Sequence, residues 1–265
     1  RLLYGAEASY RFYYGQQSTW SANLSVTDIY SFDNDFGTSE TIQSTDPLMI
    51  GISLPFQYSF ALWGKNWGWL LTPAYQMTYM TDDESSRERI YDSAVVTSQL
   101  TVSHFEQWLT DYRIEVADDT ANLQITDPDD EQSANKYSAL ITNTYLFDQT
   151  GLKTLFVDLL YMLNDADGKN NTYNKYLLGL GTTYPVTPKF ISYGKAEYFN
   201  MDFGDSVIGR EDKSWTLSLG GTYILSQKST INFSLDYTDN TSTVSGFDYN
   251  KIALTTTYSF NSGYF

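Results

Sequence analysis

The chain has 265 residues, with 32 Asp and Glu against 16 Lys and Arg, and it contains no cysteine. So acidic a balance argues against nucleic acid as a partner, because phosphate binding needs a basic footprint. The lack of thiols excludes disulfides, cysteine nucleophiles and cysteine-ligated metals. Aromatic residues are abundant, with 23 Tyr, 15 Phe and 6 Trp, and no apolar run approaches the roughly 18 residues of a transmembrane helix.

Along the chain the dominant signal is alternation with a period of two, which marks β-strands with two unlike faces. It predicts strands over 2–14, 20–32, 47–62, 67–80, 89–102, 107–118, 136–147, 153–164, 174–184, 190–202, 213–225, 229–238 and 249–260. Residues 1–5 already read as strand, so no leader segment is visible there. In 47–62, Leu48, Ile50, Ile52, Leu54, Phe56, Tyr58 and Phe60 oppose Met49, Gly51, Ser53, Pro55, Gln57, Ser59 and Ala61. In 229–238, Ile231, Phe233, Leu235 and Tyr237 oppose Thr230, Asn232, Ser234 and Asp236. The strand 249–260 repeats the pattern, with Ile252, Leu254, Tyr258 and Phe260 on its apolar side.

The polar faces carry Ser, Thr, Gly, Asn and Gln rather than the Lys and Glu of a solvated sheet. Small polar groups fit the crowded interior of a barrel, while large apolar groups suit a lipid-facing exterior. The expected fold is therefore all-β: an antiparallel up-and-down transmembrane β-barrel with thirteen strands in this chain, forming one domain over 1–265.

Connections alternate between short ones, such as Trp63-Gly64-Lys65-Asn66 and Pro185-Val186-Thr187-Pro188, and long polar ones at 33–46, 81–88, 119–135, 165–173, 203–212 and 239–248. Short turns belong on the periplasmic side of such a barrel and long loops outside. Trp20, Trp63, Trp67 and Trp108 cluster by the short turns. Tyr30, Phe32, Tyr79, Tyr161, Tyr173, Tyr198, Tyr237 and Tyr249 lie near the long loops, as two aromatic girdles would. With this orientation the first and last strands both descend. Antiparallel closure then predicts a fourteenth strand upstream of Arg1, and with it a periplasmic module or further chain.

At the end of the chain, Tyr258-Ser259-Phe260 after an alternating strand resembles the signal that Gram-negative outer-membrane barrels present to their assembly machinery, with the terminal Phe265 as a second aromatic candidate. The stretch from Trp215 to Phe260, with Asp236-Tyr237-Thr238-Asp239-Asn240 and Gly246-Phe247-Asp248-Tyr249-Asn250, is similar to the final hairpins of barrels that follow periplasmic helical repeats. Surface lipoprotein assembly modifiers, with fourteen-strand barrels, are one such group. The resemblance implies an outer-membrane location, outer-membrane lipids and lipopolysaccharide as neighbours, and a secreted substrate.

Alternation places Glu7, Arg11, Asp111, Arg113, Glu115, Asp158, Lys195, Glu197, Asp236 and Lys251 in the lumen, where they would line a pore with a mild preference for cations or pair across strands. Acidic loop residues Asp127, Asp129, Asp130, Asp165 and Asp167 form the candidate site for Ca²⁺ or Mg²⁺, set against a simply solvated acidic surface; no other cofactor is implied. The single histidine, His104, reads as an interfacial turn residue on the side opposite the outer rim, so no Ser-His or Asp-His catalytic pair is expected. The leading functional expectation is a pore for transport or export of a substrate. A passive, cation-preferring porin is the alternative, and a non-conducting adhesive barrel acting through its acidic loops is the third.

Overall fold

The computed structural model describes residues 2–15, 17–30, 47–81, 87–122, 127–207 and 209–260. They form β1 (Leu2–Tyr14), β2 (Ser18–Tyr30), β3 (Leu48–Ser53), β4 (Phe56–Leu62), β5 (Lys65–Thr81), β6 (Arg87–Phe105) and β7 (Trp108–Ala121). The second half adds β8 (Ala134–Leu146), β9 (Thr154–Ala166), β10 (Tyr173–Thr187), β11 (Phe190–Phe203), β12 (Arg210–Ser226), β13 (Ser229–Ser242) and β14 (Tyr249–Phe260). All belong to one antiparallel sheet in chain order, with β3 and β4 sharing the place between β2 and β5. No helix among the described residues is long and apolar enough to cross a membrane; the chain crosses with strands, as an up-and-down transmembrane barrel wall.

The expected strand 47–62 is divided at Leu54-Pro55, because proline has no N–H to give to a ladder. The path nevertheless continues. The Leu54 N–H donates to the Pro73 carbonyl at 2.9 Å, and the Pro55 carbonyl accepts from Ser21 N–H at 3.1 Å. At their long-loop ends several strands run further than alternation of apolar residues suggested: β12 begins at Arg210 and β13 ends at Ser242. Pairing is carried there by backbone bonds between polar residues, the Thr243 N–H reaching Glu211 O at 2.9 Å. Among the described residues β1 pairs with β2 and β14 with β13, and no register joins β1 to β14. These two strands run in the same sense, so any direct pairing between them would be parallel.

Tight turns and bulges set the registers. Between β4 and β5 the two-residue turn holds Trp63 at φ 52 and Gly64 at φ 72, the double left-handed conformation whose twist matches a right-twisted hairpin. Register shifts at Arg11/Tyr13, Ser103/Phe105, Pro185/Thr187 and Ile224/Ser226 each lie beside a short turn, and one at Thr78/Tyr79 lies at the long-loop end of β5. Bulges at the rim raise the local twist and let strands tilt around a barrel.

Burial is inverted relative to a soluble protein. Leu235 is 48% exposed, Ile252 73% and Leu254 76%, whereas Asp158 is 8% and Ser214 0% exposed. Over these strands the apolar set that alternation singled out is thus on the open face of the sheet and the polar set on the crowded one. On β4, by contrast, Gln57, Ser59 and Ala61 are exposed and the Phe56, Tyr58 and Phe60 rings are half-buried against neighbouring aromatics. In water such a continuous apolar exterior would drive aggregation; against hydrocarbon it is the favoured arrangement. Two glycines make the packing possible. A Cβ on Gly220 would lie 2.3 Å from the Phe233 carbonyl oxygen, and one on Gly221 would lie 2.4 Å from the Phe190 ring, which stacks on Phe233 with centroids 5.8 Å apart.

Leu235→Arg should therefore destabilise the lipid-embedded protein by about 2–4 kcal/mol, while Ser234→Arg should leave stability nearly unchanged, as read by reversible denaturant titration in vesicles. Gly220→Ala should cost about 1–3 kcal/mol in the same titration, because the obstructing atom is backbone and cannot rotate away.

Candidate functional site

Residues opposite one another in register share a face, so the crowded face is built of rows that cross the strands. One row reads Thr142, Asp158, Gly179, Glu197 and Thr216 over β8 to β12. The next row toward the short turns reads Thr144, Phe156, Gly181, Lys195 and Ser218. Lys195 Nζ lies 3.0 Å from Asp158 Oδ2 and 2.8 Å from Glu197 Oε1. The Thr142 hydroxyl donates to Asp158 Oδ1 at 2.7 Å. Glycine spacing seats this triad: a Cβ on Gly179 would be 3.2 Å from Asp158 Cβ, and one on Gly181 would sit 2.2 Å from the Phe156 ring. The ring lies over the bare backbone, and Lys195 Nζ is 5.9 Å from its centroid.

A second group lies on β6 and β7. Arg113 pairs with Glu115 at 2.5 Å, and Glu115 also accepts from the Thr97 hydroxyl at 3.1 Å. Asp111 accepts from Gln99 Nε2 at 3.1 Å and from the Thr101 hydroxyl. The remaining expected lining residues are dispersed. Asp236 accepts from Ser234 at 3.0 Å, Lys251 is exposed opposite Thr238, and Arg11 is exposed opposite Ser21. The backbone of Glu7 pairs with Ser25, and its side chain lies outside the described part.

Several inward charges escaped the sequence reading. Lys136 pairs with Asp119 at 2.5 Å and reaches the Tyr91 hydroxyl at 3.2 Å. Arg210 pairs with Asp212, its guanidinium held between the Phe203 and Phe247 rings at 4.5 and 3.7 Å. Asp119, Arg210 and Asp212 lie beyond the expected strand ends but continue their strands' alternation, so extending the pattern would have found them. Lys136 and Lys175 sat inside expected strands at inward parity and were legible. These three further bases and two further acids bring the lumen nearer to charge balance than the expected set implied.

The acidic loops are used for packing. The Asp127 carboxylate accepts from Asp129 N–H at 3.0 Å, capping the short turn Pro128–Asp130. Asp130 accepts from Asn170 Nδ2 at 2.8 Å, and Asn171 Nδ2 donates to the carbonyls of Asp130 and Glu131 at 2.9 and 3.1 Å. The Asp167 N–H donates to Ser133 O at 2.9 Å, and Asp165 is exposed opposite Asn135. A Cβ on Gly168 would lie 2.4 Å from Glu131 N, so the two loops meet backbone to backbone. Glu131 accepts from Ser133, which holds its carboxyl below the ordinary carboxylate range. Among the described residues no three acidic or imidazole groups converge as a metal site; Asp127, Asp129, Asp130, Asp165 and Asp167 are spread over these turns. Asp33, Asp35, Asp82, Asp83 and Glu84 lie outside the described residues.

His104 belongs to β6 rather than to a turn. Its Nε2 is 3.0 Å from the Thr110 hydroxyl, which donates to Asn143 Oδ1 at 2.8 Å, and its Nδ1 is 2.9 Å from Lys65 Nζ. Of the expected assembly-signal residues, Tyr258 is exposed opposite Ile231 and the backbone of Phe260 pairs with Ser229. The Phe260 side chain and Phe265 lie outside the described part.

A match to a protein family bears on this wall. The family model described as "Putative beta-barrel porin 2" matches residues 148–259. That span covers β9 to β14 and contains the Asp158, Lys195 and Glu197 triad. Over these strands the chain is similar to β-barrel porins, and the structure supplies the outward apolar face and inward polar face of such a barrel. Comparison with curated proteins gives no match.

Lys195→Met should leave two neighbouring carboxylates without their shared cation, destabilising the folded barrel by about 1–3 kcal/mol. Adding Asp158→Asn to that variant should recover part of the loss. A double-mutant cycle in lipid vesicles measures this directly, and independent, additive effects would show that the triad does not act as a unit.

Proposed function

We propose that the chain forms the wall of an outer-membrane pore through which small hydrophilic solutes diffuse. The observation that carries this reading is the sorting of the two faces: hydroxyls and mutually paired charges on the enclosed side, bulky apolar groups on the open side. A lumen in which Glu115, Asp119, Asp158, Glu197 and Asp212 each meet a cation, leaving Asp111 and Asp236 to neutral donors, would let ions pass with little trapping. The match to a porin family favours diffusion over export. The likeness of the final hairpins to surface lipoprotein assembly modifiers is the basis for an export path. With a net charge of −16, the surface around the mouths should concentrate cations, so a mild cation preference follows even though the lumen itself is near balance.

Outward aromatic residues support the membrane placement. Tyr176 and Tyr184 on β10, and Trp215 and Tyr223 on β12, are exposed and stand eight positions apart, about 26 Å of strand. That is of the order of the ~25 Å apolar band of outer-membrane barrels. Leu178 and Leu180, and Leu217 and Leu219, fill two of the three outward positions between them, Thr182 and Gly221 the third. We read the two sets of rings as headgroup girdles, facing phospholipid on the short-turn side and lipopolysaccharide on the other.

Reconstitution into planar bilayers tests the pore. Steady single-channel conductance and a reversal potential modestly on the cation side under a KCl gradient are expected. Lys195→Gln should shift that potential further toward cations and Asp158→Asn toward anions. Absence of conductance at any voltage would overturn the pore and favour a closed, adhesive barrel.

A further inference from the structure

The inward face is not polar throughout. One row of cross-strand neighbours reads Leu140, Leu160, Leu177 and Phe199 over β8 to β11, all half-buried. Neighbouring strands lie about 4.8 Å apart, so this is an apolar track roughly 14 Å wide in a wall otherwise lined by hydroxyls and charges. The row on its long-loop side reads Ser138, Met162, Lys175 and Met201. Lys175 thus stands between two thioethers, and its Nζ lies 4.4 Å from the Phe199 ring centroid.

Lys175 differs from the four paired cations of this wall. Arg113, Lys136, Lys195 and Arg210 each touch a carboxylate. No carboxylate among the described residues lies within ion-pairing distance of Lys175. The nearby acids are engaged elsewhere: Asp158 and Glu197 by Lys195, and Asp212 by Arg210. An ammonium resting on an aromatic face and flanked by sulfur is poorly hydrated, so a single negative charge brought to it would be held more strongly than at an open surface. Apolar side chains turned toward an aqueous lumen gain only when something apolar covers them. Cation and apolar row are adjacent, so one ligand can satisfy both.

We infer that this face binds an amphiphilic monocarboxylate, its apolar body laid along Leu140, Leu160, Leu177 and Phe199 and its carboxylate on Lys175 Nζ. Below the row, Asp158 and Glu197 would repel a second negative group, which restricts the ligand to one anionic end. The inference goes beyond the diffusion pore proposed above and shares with it only the inward orientation of these strands.

The test is equilibrium binding of radiolabelled octanoate to the full chain in lipid nanodiscs, with empty nanodiscs subtracted. Saturable binding is expected for octanoate, with butyrate and octylammonium binding at least about tenfold more weakly. Lys175→Met should weaken octanoate about tenfold, and Leu160→Ser should weaken it without restoring octylammonium. Lys251→Met, at an exposed position off the track, should leave binding unchanged. Lack of saturable binding to a barrel that conducts would overturn the inference while sparing the pore, and would assign the row to packing against the chain's own loops. Equal losses from Lys175→Met and Lys251→Met would also overturn it, reducing the effect to general charge. Saturable binding by a non-conducting barrel would sustain the inference and sink only the pore.

Discussion

In hydrocarbon a backbone N–H or C=O has no water to turn to, so every peptide group that crosses must find its partner in the protein. That constraint organises this chain. Pairing each strand with its chain neighbours satisfies the backbone from β2 to β13, with one edge of β1 and one of β14 unpaired among the described residues, and it holds even where the sequence resists it. At Pro55, which cannot donate, the neighbouring Leu54 N–H and the Pro55 carbonyl keep β2 and β5 bonded across the break. Once the backbone is committed to strands, side chains can only alternate, and a two-residue period leaves each residue one of two environments.

The two environments require opposite chemistry. Outward positions meet acyl chains and are filled by Leu, Ile, Val, Tyr and Trp. Inward positions crowd together and are filled by small hydroxyls, glycines and charges that meet their opposites. Glycine matters here for its missing Cβ rather than for its backbone freedom. Gly179, Gly181 and Gly220 make room on the inward side for Lys195, Phe156 and Tyr193, whose rings and stem lie flat against bare backbone. Much of the charge on the inward face is spent on itself, as in Arg113 with Glu115 and Lys195 with Asp158 and Glu197, while Asp111 and Asp236 are held by hydroxyls and an amide and Lys175 rests on an aromatic ring.

At the long-loop end the acidic residues have a structural use that composition concealed. The turns 127–133 and 167–171 are laced by asparagine amides and backbone bonds, and Val207 N–H adds a third loop by donating to Asn170 at 3.3 Å. Arg210 between Phe203 and Phe247 ties the top of β12 to the loop before β14. One side of the long-loop end is therefore a knitted rim, held by hydrogen bonds between polar loop residues.

Alternation alone determined thirteen strands, one of which the structure divides into β3 and β4 at Pro55, their boundaries to within a few residues, and which face of each strand is apolar, because a period of two is a local property that no partner can alter. It also placed Asp111, Arg113, Glu115, Asp158, Lys195 and Glu197 on the inward side. Only the tertiary structure decided who meets whom. That Asp158, Lys195 and Glu197 share one cation, that Leu140, Leu160, Leu177 and Phe199 fall in a single row, and that the loop acids cap turns instead of converging all depend on register between strands. Register is set by bulges and turn geometry that shift neighbours by one or two residues, and a single-strand pattern does not encode that offset.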